Sequence, residues 1–110
     1  MSKEQLVIDK MSFVLKRDEL DRVSAKIGED GMPFIILDMH GWCTKKAKEV
    51  LDKTILINRG EFNLDLVHGY KHGIAIKKML LSEYKNNRII KMRSYNENPG
   101  LTFMKIASAM

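Results

Sequence analysis

Three residues in this chain have the types and spacing that acid–base chemistry uses: Asp38, His40 and His68. Each histidine is followed by a glycine, at His40-Gly41 and His68-Gly69, and each pair closes an apolar run and precedes a helix-like one. A histidine near its unperturbed pKa of about 6.5 takes and returns a proton at neutral pH, and a neighbouring aspartate raises that value. Asp38 and His40 stand two apart, so on a strand they share a face, where the carboxylate can orient or charge the imidazole. A hydrogen bond from His40 to a loop carbonyl at the strand end explains the same residue equally well. Ligands of open α/β sheets bind beyond the carboxyl ends of the strands, and parallel strands bring those ends to one edge. The two histidines are therefore expected to share a site.

The segment His68-Gly69-Tyr70-Lys71-His72-Gly73 reads as a loop leading into a helix. Its glycines let the backbone come close to a ligand, and exposed amides at a helix start favour an anion, most naturally a phosphate. Lys71, Lys77 and Lys78 add positive charge there. An ordinary strand-to-helix turn with solvated lysines accounts for the same residues. Trp42 and Tyr70 each stand near a His-Gly pair, where a ring could stack on a base; core packing is the simpler role for Trp42. His72 reads as a loop residue. Imidazole and carboxylate also bind divalent ions, which makes Asp38, His40 and His68 conceivable ligands. No close-spaced motif such as His-Glu-x-x-His is present, so no cofactor is expected and a divalent metal is the disfavoured option.

The elements that must position these residues follow from periodicity. Phe34 to His40 is a short apolar run closed by a glycine, as expected for a buried strand, with Leu37 and Met39 facing the core. Thr44 is the expected N-cap of a helix reaching about Asn58, with Ala47, Val50, Leu51 and Thr54 as its inward stripe. A strand over 63–67 and a helix over about 74–85 follow, the helix buried through Ile76, Leu80 and Tyr84. Residues 88–93 read as a third strand, and the Asn-, Pro- and Gly-bearing loop 96–100 separates it from a fourth over 101–106. This β-α-β-α-β-β order implies a two-layer α/β sandwich with a mixed, roughly four-stranded sheet. Residues 1–32 read as an N-terminal extension. Leu20, Val23 and Ile27 suit one face of a helix beginning near Asp18 and ending at Gly28-Glu29-Asp30-Gly31, while the state of 6–15 stays open.

A chain of 110 residues, 45% hydrophobic, is enough for one domain with one core. Its net charge of +5 is uneven. Residues 1–32 carry 6 Lys/Arg against 7 Asp/Glu, whereas 33–110 carry 13 against 7. The basic excess lies with the His-Gly pairs and favours a polyanionic partner, although a solvated basic surface would carry the same charge. Cys43 is the only cysteine, so nothing points to an oxidising compartment. The first ten residues lack the apolar core of a signal peptide, and no run approaches the roughly 18 residues of a membrane span. A cytoplasmic protein with no membrane partner is expected.

Taken together, these residues resemble the small MutS-related (Smr) domain. Leu37-Asp38-Met39-His40-Gly41 is similar to its Leu-Asp-Leu-His-Gly signature, with Thr44 and Ala47 in positions similar to its first helix. Val67-His68-Gly69, ending in Gly73, resembles its His-Gly-x-Gly loop, and Asn98-Pro99-Gly100-Leu101-Thr102 looks like the turn and threonine before its last strand. The resemblance covers about residues 34–107. It implies an α/β sandwich that binds nucleic acid and, in several members, cuts it endonucleolytically. Asp38 and His40 would then be the catalytic pair, with His68 and Gly69 forming the second wall. One position departs: Lys71 stands where the loop's second glycine is usual. The leading expectation is an endonuclease with RNA favoured over DNA. His40 would act as base, His68 as acid, Asp38 as orienter, and Gly69, Lys71 and Gly73 would hold the phosphate. A noncatalytic nucleic-acid or ribosome-associated module is the alternative, and a protein-interaction domain a third reading.

Overall fold

The computed structural model describes residues 2–69 and 73–109. Five strands, β1 (Val23–Ile27), β2 (Pro33–Asp38), β3 (Phe62–Val67), β4 (Ile89–Ser94) and β5 (Leu101–Ile106), form one mixed sheet in the order β1-β2-β3-β5-β4. Only β2 and β3 run parallel; the other neighbours are antiparallel. The helices are α1 (Lys3–Met11), α2 (Arg17–Leu20), α3 (Thr44–Ile57) and α4 (Ile74–Lys78), and α4 continues as a wider π-type turn over Met79–Glu83. The α/β fold with a mixed sheet and an N-terminal helix is as expected, with one strand more.

Alternation along the strands places the core. Ile35 and Leu37 of β2, Phe62, Leu64 and Leu66 of β3, and Met104 and Ile106 of β5 are buried and face the helices. Ala47, Val50, Leu51 and Thr54 of α3 meet them as predicted. Ile76, Leu80 and Tyr84 are buried in the same core. The π-type turn lets the amide of Tyr84 reach back five residues to Met79 O at 2.8 Å, closing the helix where an α-helical reading runs to Lys85. The cap of α3 also shifts by one residue: Cys43, extended at φ −77° and ψ 163°, is the cap and Thr44 is the first helical residue.

The first 32 residues are corrected more substantially. The helix expected from Asp18 onward stops at Leu20, and Val23–Ile27 is the edge strand β1, paired antiparallel with β2 from Val23↔Leu37 to Ile27↔Pro33. Val23 and Ile27 satisfy a helical spacing of four, but with Ala25 they also satisfy a period of two against the exposed Ser24 and Lys26. The available edge of β2 decides between the two patterns, since tertiary pairing overrides local preference. The undecided stretch 6–15 is largely α1, whose Val7 and Met11 join Leu15 in the main core. The segment read as an extension is thus packed into the same core as the rest.

Candidate functional site

The site forms where β2 and β3 end side by side. Asp38 is the last residue of β2 and faces away from the helices, paired with Val67 of β3. Met39 remains buried and donates its amide to Val67 O at 2.7 Å, so the next residue, His40, emerges into solvent. Gly41 then reverses the chain at φ +82°, a left-handed conformation that glycine adopts without strain, and the Trp42 amide closes the turn on Met39 O at 3.0 Å.

Asp38 Oδ1 accepts two hydrogen bonds from His40, one from its backbone N–H at 3.1 Å and one from ring Nδ1 at 2.6 Å. Arg22 Nη1 lies 3.3 Å from the same ring nitrogen, but a guanidinium can only donate. Nδ1 cannot give its proton to Asp38 and accept from Arg22 at once, and the shorter, charge-assisted contact to the carboxylate wins. Arg22 instead donates to His40 O at 3.1 Å and stands 3.8 Å from Asp38 Oδ1. With its proton on Nδ1, neutral His40 carries its lone pair on Nε2, in a side chain 61% exposed. Burial acts to raise the Asp38 carboxyl. The hydrogen bonds from the His40 ring and amide, with the charge of Arg22, outweigh it and hold the group below the usual carboxylate value. Trp42 braces the cation, with the Arg22 guanidinium 5.7 Å and Lys46 Nζ 5.2 Å from its ring centroid.

His68 is placed differently. It lies one residue beyond β3, turned into the core and only 1% exposed. Its Nδ1–H donates to Gly69 O at 3.1 Å, and Nε2 accepts the Thr102 hydroxyl proton at 2.9 Å. Burial depresses its pKa, the Gly69 carbonyl works against that, and the Lys77 charge depresses it further. His68 is therefore a neutral histidine with both nitrogens engaged. The amides of His68 and Gly69 both donate to Gly100 O, at 3.0 and 3.2 Å, so the Gly69 amide is already committed.

The two His-Gly loops nevertheless touch. A Cβ placed on Gly69, which sits at φ +88°, would lie 3.7 Å from Cβ of His40. Gly73 answers to packing: a Cβ there would come within 2.0 Å of His68 O and 2.5 Å of Gly69 O, so only glycine lets the start of α4 rest on those peptides. Lys77 is half-buried near His68 and Lys78 is exposed. Lys71, Tyr70 and His72 lie outside the described residues. The structure thus brings Asp38, His40 and Gly69 together and sets His68 behind them as support. Sequence reasoning missed Arg22, which belongs to the segment just ahead of β1; alternation in Val23–Ile27 was the only signal. Among the described residues, no three His, Cys, Asp or Glu side chains cluster closely enough to hold a metal ion, and no helix is long and apolar enough to cross a membrane.

No family model, curated protein or solved structure matches this chain.

Proposed function

We propose that this protein binds nucleic acid in the cytoplasm and cleaves RNA at the Asp38–His40 dyad, in the manner of the Smr domain that its two His-Gly segments resemble. The observation that carries this reading is the 2.6 Å bond between His40 Nδ1 and Asp38 Oδ1, which leaves Nε2 as an exposed base. In RNA, Nε2 takes the proton of a 2′-OH, and the resulting alkoxide attacks the adjacent phosphorus. The bond to the 5′-oxygen breaks, giving a 2′,3′-cyclic phosphate and a 5′-hydroxyl that takes its proton from water. Asp38 stabilises the imidazolium that forms, and general-base catalysis of this kind contributes about 10²–10⁴-fold. Arg22, beside the dyad, is the cation that meets the phosphate, with Lys71 as a second.

The engagement of both His68 nitrogens changes its part from acid to positioning residue, holding the Gly69 turn against Thr102 and Gly100. The same burial favours one second reading, a noncatalytic nucleic-acid or ribosome-associated module, because a single exposed histidine also suits a binding surface. End-labelled RNA and the matching DNA separate the two. Cleavage of RNA alone with cyclic-phosphate ends supports transesterification, cleavage of both shows hydrolysis, and retention of intact RNA shows binding without chemistry.

A further inference from the structure

The helices cover one face of the sheet, and the other carries side chains that the cleavage step does not use. Directly paired residues project to the same side, so strand register sets what this face displays. One outward row contains Lys26, Phe34, Lys105 and Lys91, and the next contains Asp65, Phe103 and Arg93. Phe34 and Phe103 are half-buried and stand on strands separated by β3, a backbone distance of about 10 Å. Their ring centroids are nevertheless 6.3 Å apart at 48°, so the rings lean together over β3. Cations lie over them: Lys26 Nζ is 5.1 Å from the Phe34 ring centroid, and the Arg93 guanidinium is 5.3 Å from that of Phe103 and 5.6 Å from that of Tyr95, so the guanidinium extends the stack toward solvent. The carboxylates at this face are engaged: Asp65 accepts the Tyr95 hydroxyl proton at 2.7 Å and Asp38 is held in the dyad. Lys105 pairs with Glu61 at 3.8 Å, while Lys26, Lys91 and Arg93 are exposed.

We infer that this open face is a stacking platform for single-stranded RNA, with Phe34, Phe103 and the Arg93 guanidinium receiving bases and Lys26 and Lys91 meeting phosphates. Rings interleaved with cations suit this ligand, because every base has a π-face and every linkage a negative charge. A duplex keeps its bases stacked inside and offers nothing to the rings. An apolar protein partner would leave the flanking cations uncompensated. Asp38 lies on the same face, four residues along β2 from Phe34 and about 13 Å away. An unpaired strand lying across the rings therefore brings its backbone to the dyad. Only this last step rests on the proposed cleavage, since the platform itself needs no chemistry.

The test is fluorescence anisotropy of a labelled oligouridine and of a duplex RNA of equal length. It uses the wild type, Phe34→Leu/Phe103→Leu, Arg93→Ala, Lys26→Ala and His40→Ala. The platform predicts single-strand binding about tenfold tighter than duplex binding, weakened about fivefold or more by the double leucine variant. Arg93→Ala and Lys26→Ala, both at exposed positions, should weaken binding and flatten its salt dependence even if the leucine variant fails to fold. His40→Ala, which lacks the base, lets binding be read without cleavage of the probe. Equal affinity for duplex and single strand, or unchanged binding in Arg93→Ala and Lys26→Ala, would overturn the platform. Platform-dependent binding without cleavage would sink the nuclease reading alone. Weakened binding by Arg93→Ala and Lys26→Ala with cleavage at wild-type kcat/KM would overturn the step that brings the strand from the platform to the dyad.

Discussion

His40 gives its Nδ1 proton to Asp38 Oδ1 across 2.6 Å, and this one bond decides which face of the ring meets a substrate. Asp38→Asn keeps the shape but can offer an amide N–H to Nδ1, stabilising the opposite tautomer and placing the ring proton on Nε2. RNA cleavage should fall by about 10²–10⁴-fold. RNA affinity should hold or rise slightly, because a negative charge near the phosphate is removed. Single-turnover cleavage alongside binding isotherms measures both.

Arg22 links the edge strand to the dyad through its bond to His40 O. Arg22→Ala should lower both cleavage and affinity and reduce the salt dependence of binding by about one counterion. Arg22→Lys should restore the salt dependence but only part of the cleavage, because a single ammonium cannot reproduce the guanidinium's several fixed donors. Equal cleavage by all three proteins would remove Arg22 from the site.

His68 is buried and neutral, with its folded-state pKa below the unfolded value of about 6.5. Between those two values the unfolded chain binds more protons, so stability rises with pH there. The contribution of His68 is complete above about pH 6.5 and is lost as pH falls toward the folded-state pKa. Urea midpoints measured from pH 7.5 down to pH 5 should decline in the wild type. The decline should be shallower in His68→Gln, which removes the titration while keeping a donor and an acceptor.

Gly73 and Gly60 make a matched pair for backbone substitution. A Cβ at Gly73 would strike the His68 carbonyl, whereas one at Gly60 would meet nothing within 4 Å. Gly73→Ala should destabilise by about 1–3 kcal/mol or more, as overpacking does. Gly60→Ala should be neutral or stabilising by up to about 1 kcal/mol. Chemical denaturation of the two variants checks the contrast.

Much of this architecture was legible in residue order. The strand beginning near Phe34, read to His40 but ending at Asp38, the stripe of α3 and the hairpin of β4 and β5 all follow from apolar periodicity, which reports directly on burial. Val23–Ile27 was not legible, because its two largest residues fit a helix and a strand alike and only the open edge of β2 separates them. At the site, a spacing of two joined Asp38 to His40, although β2 ends at Asp38 and it is the turn after buried Met39 that folds the ring back onto the carboxylate. Applied to β3, the same alternation puts His68 in step with the buried Leu64 and Leu66; expecting both histidines at one open site overlooked it, and His68 turns inward to Thr102, a partner 34 positions away. Gly73 was read as room for a ligand; the space is filled by the protein's own backbone.

The central claim is that His40 Nε2 is the base that cleaves RNA. The measurement is the rate of cleavage of labelled single-stranded RNA in EDTA by wild type and His40→Ala, with free imidazole added to the variant. The account predicts wild-type cleavage in EDTA, a loss of about 100-fold or more in the variant, and partial recovery with imidazole. Equal rates for the two proteins, or no cleavage by the wild type, would contradict it.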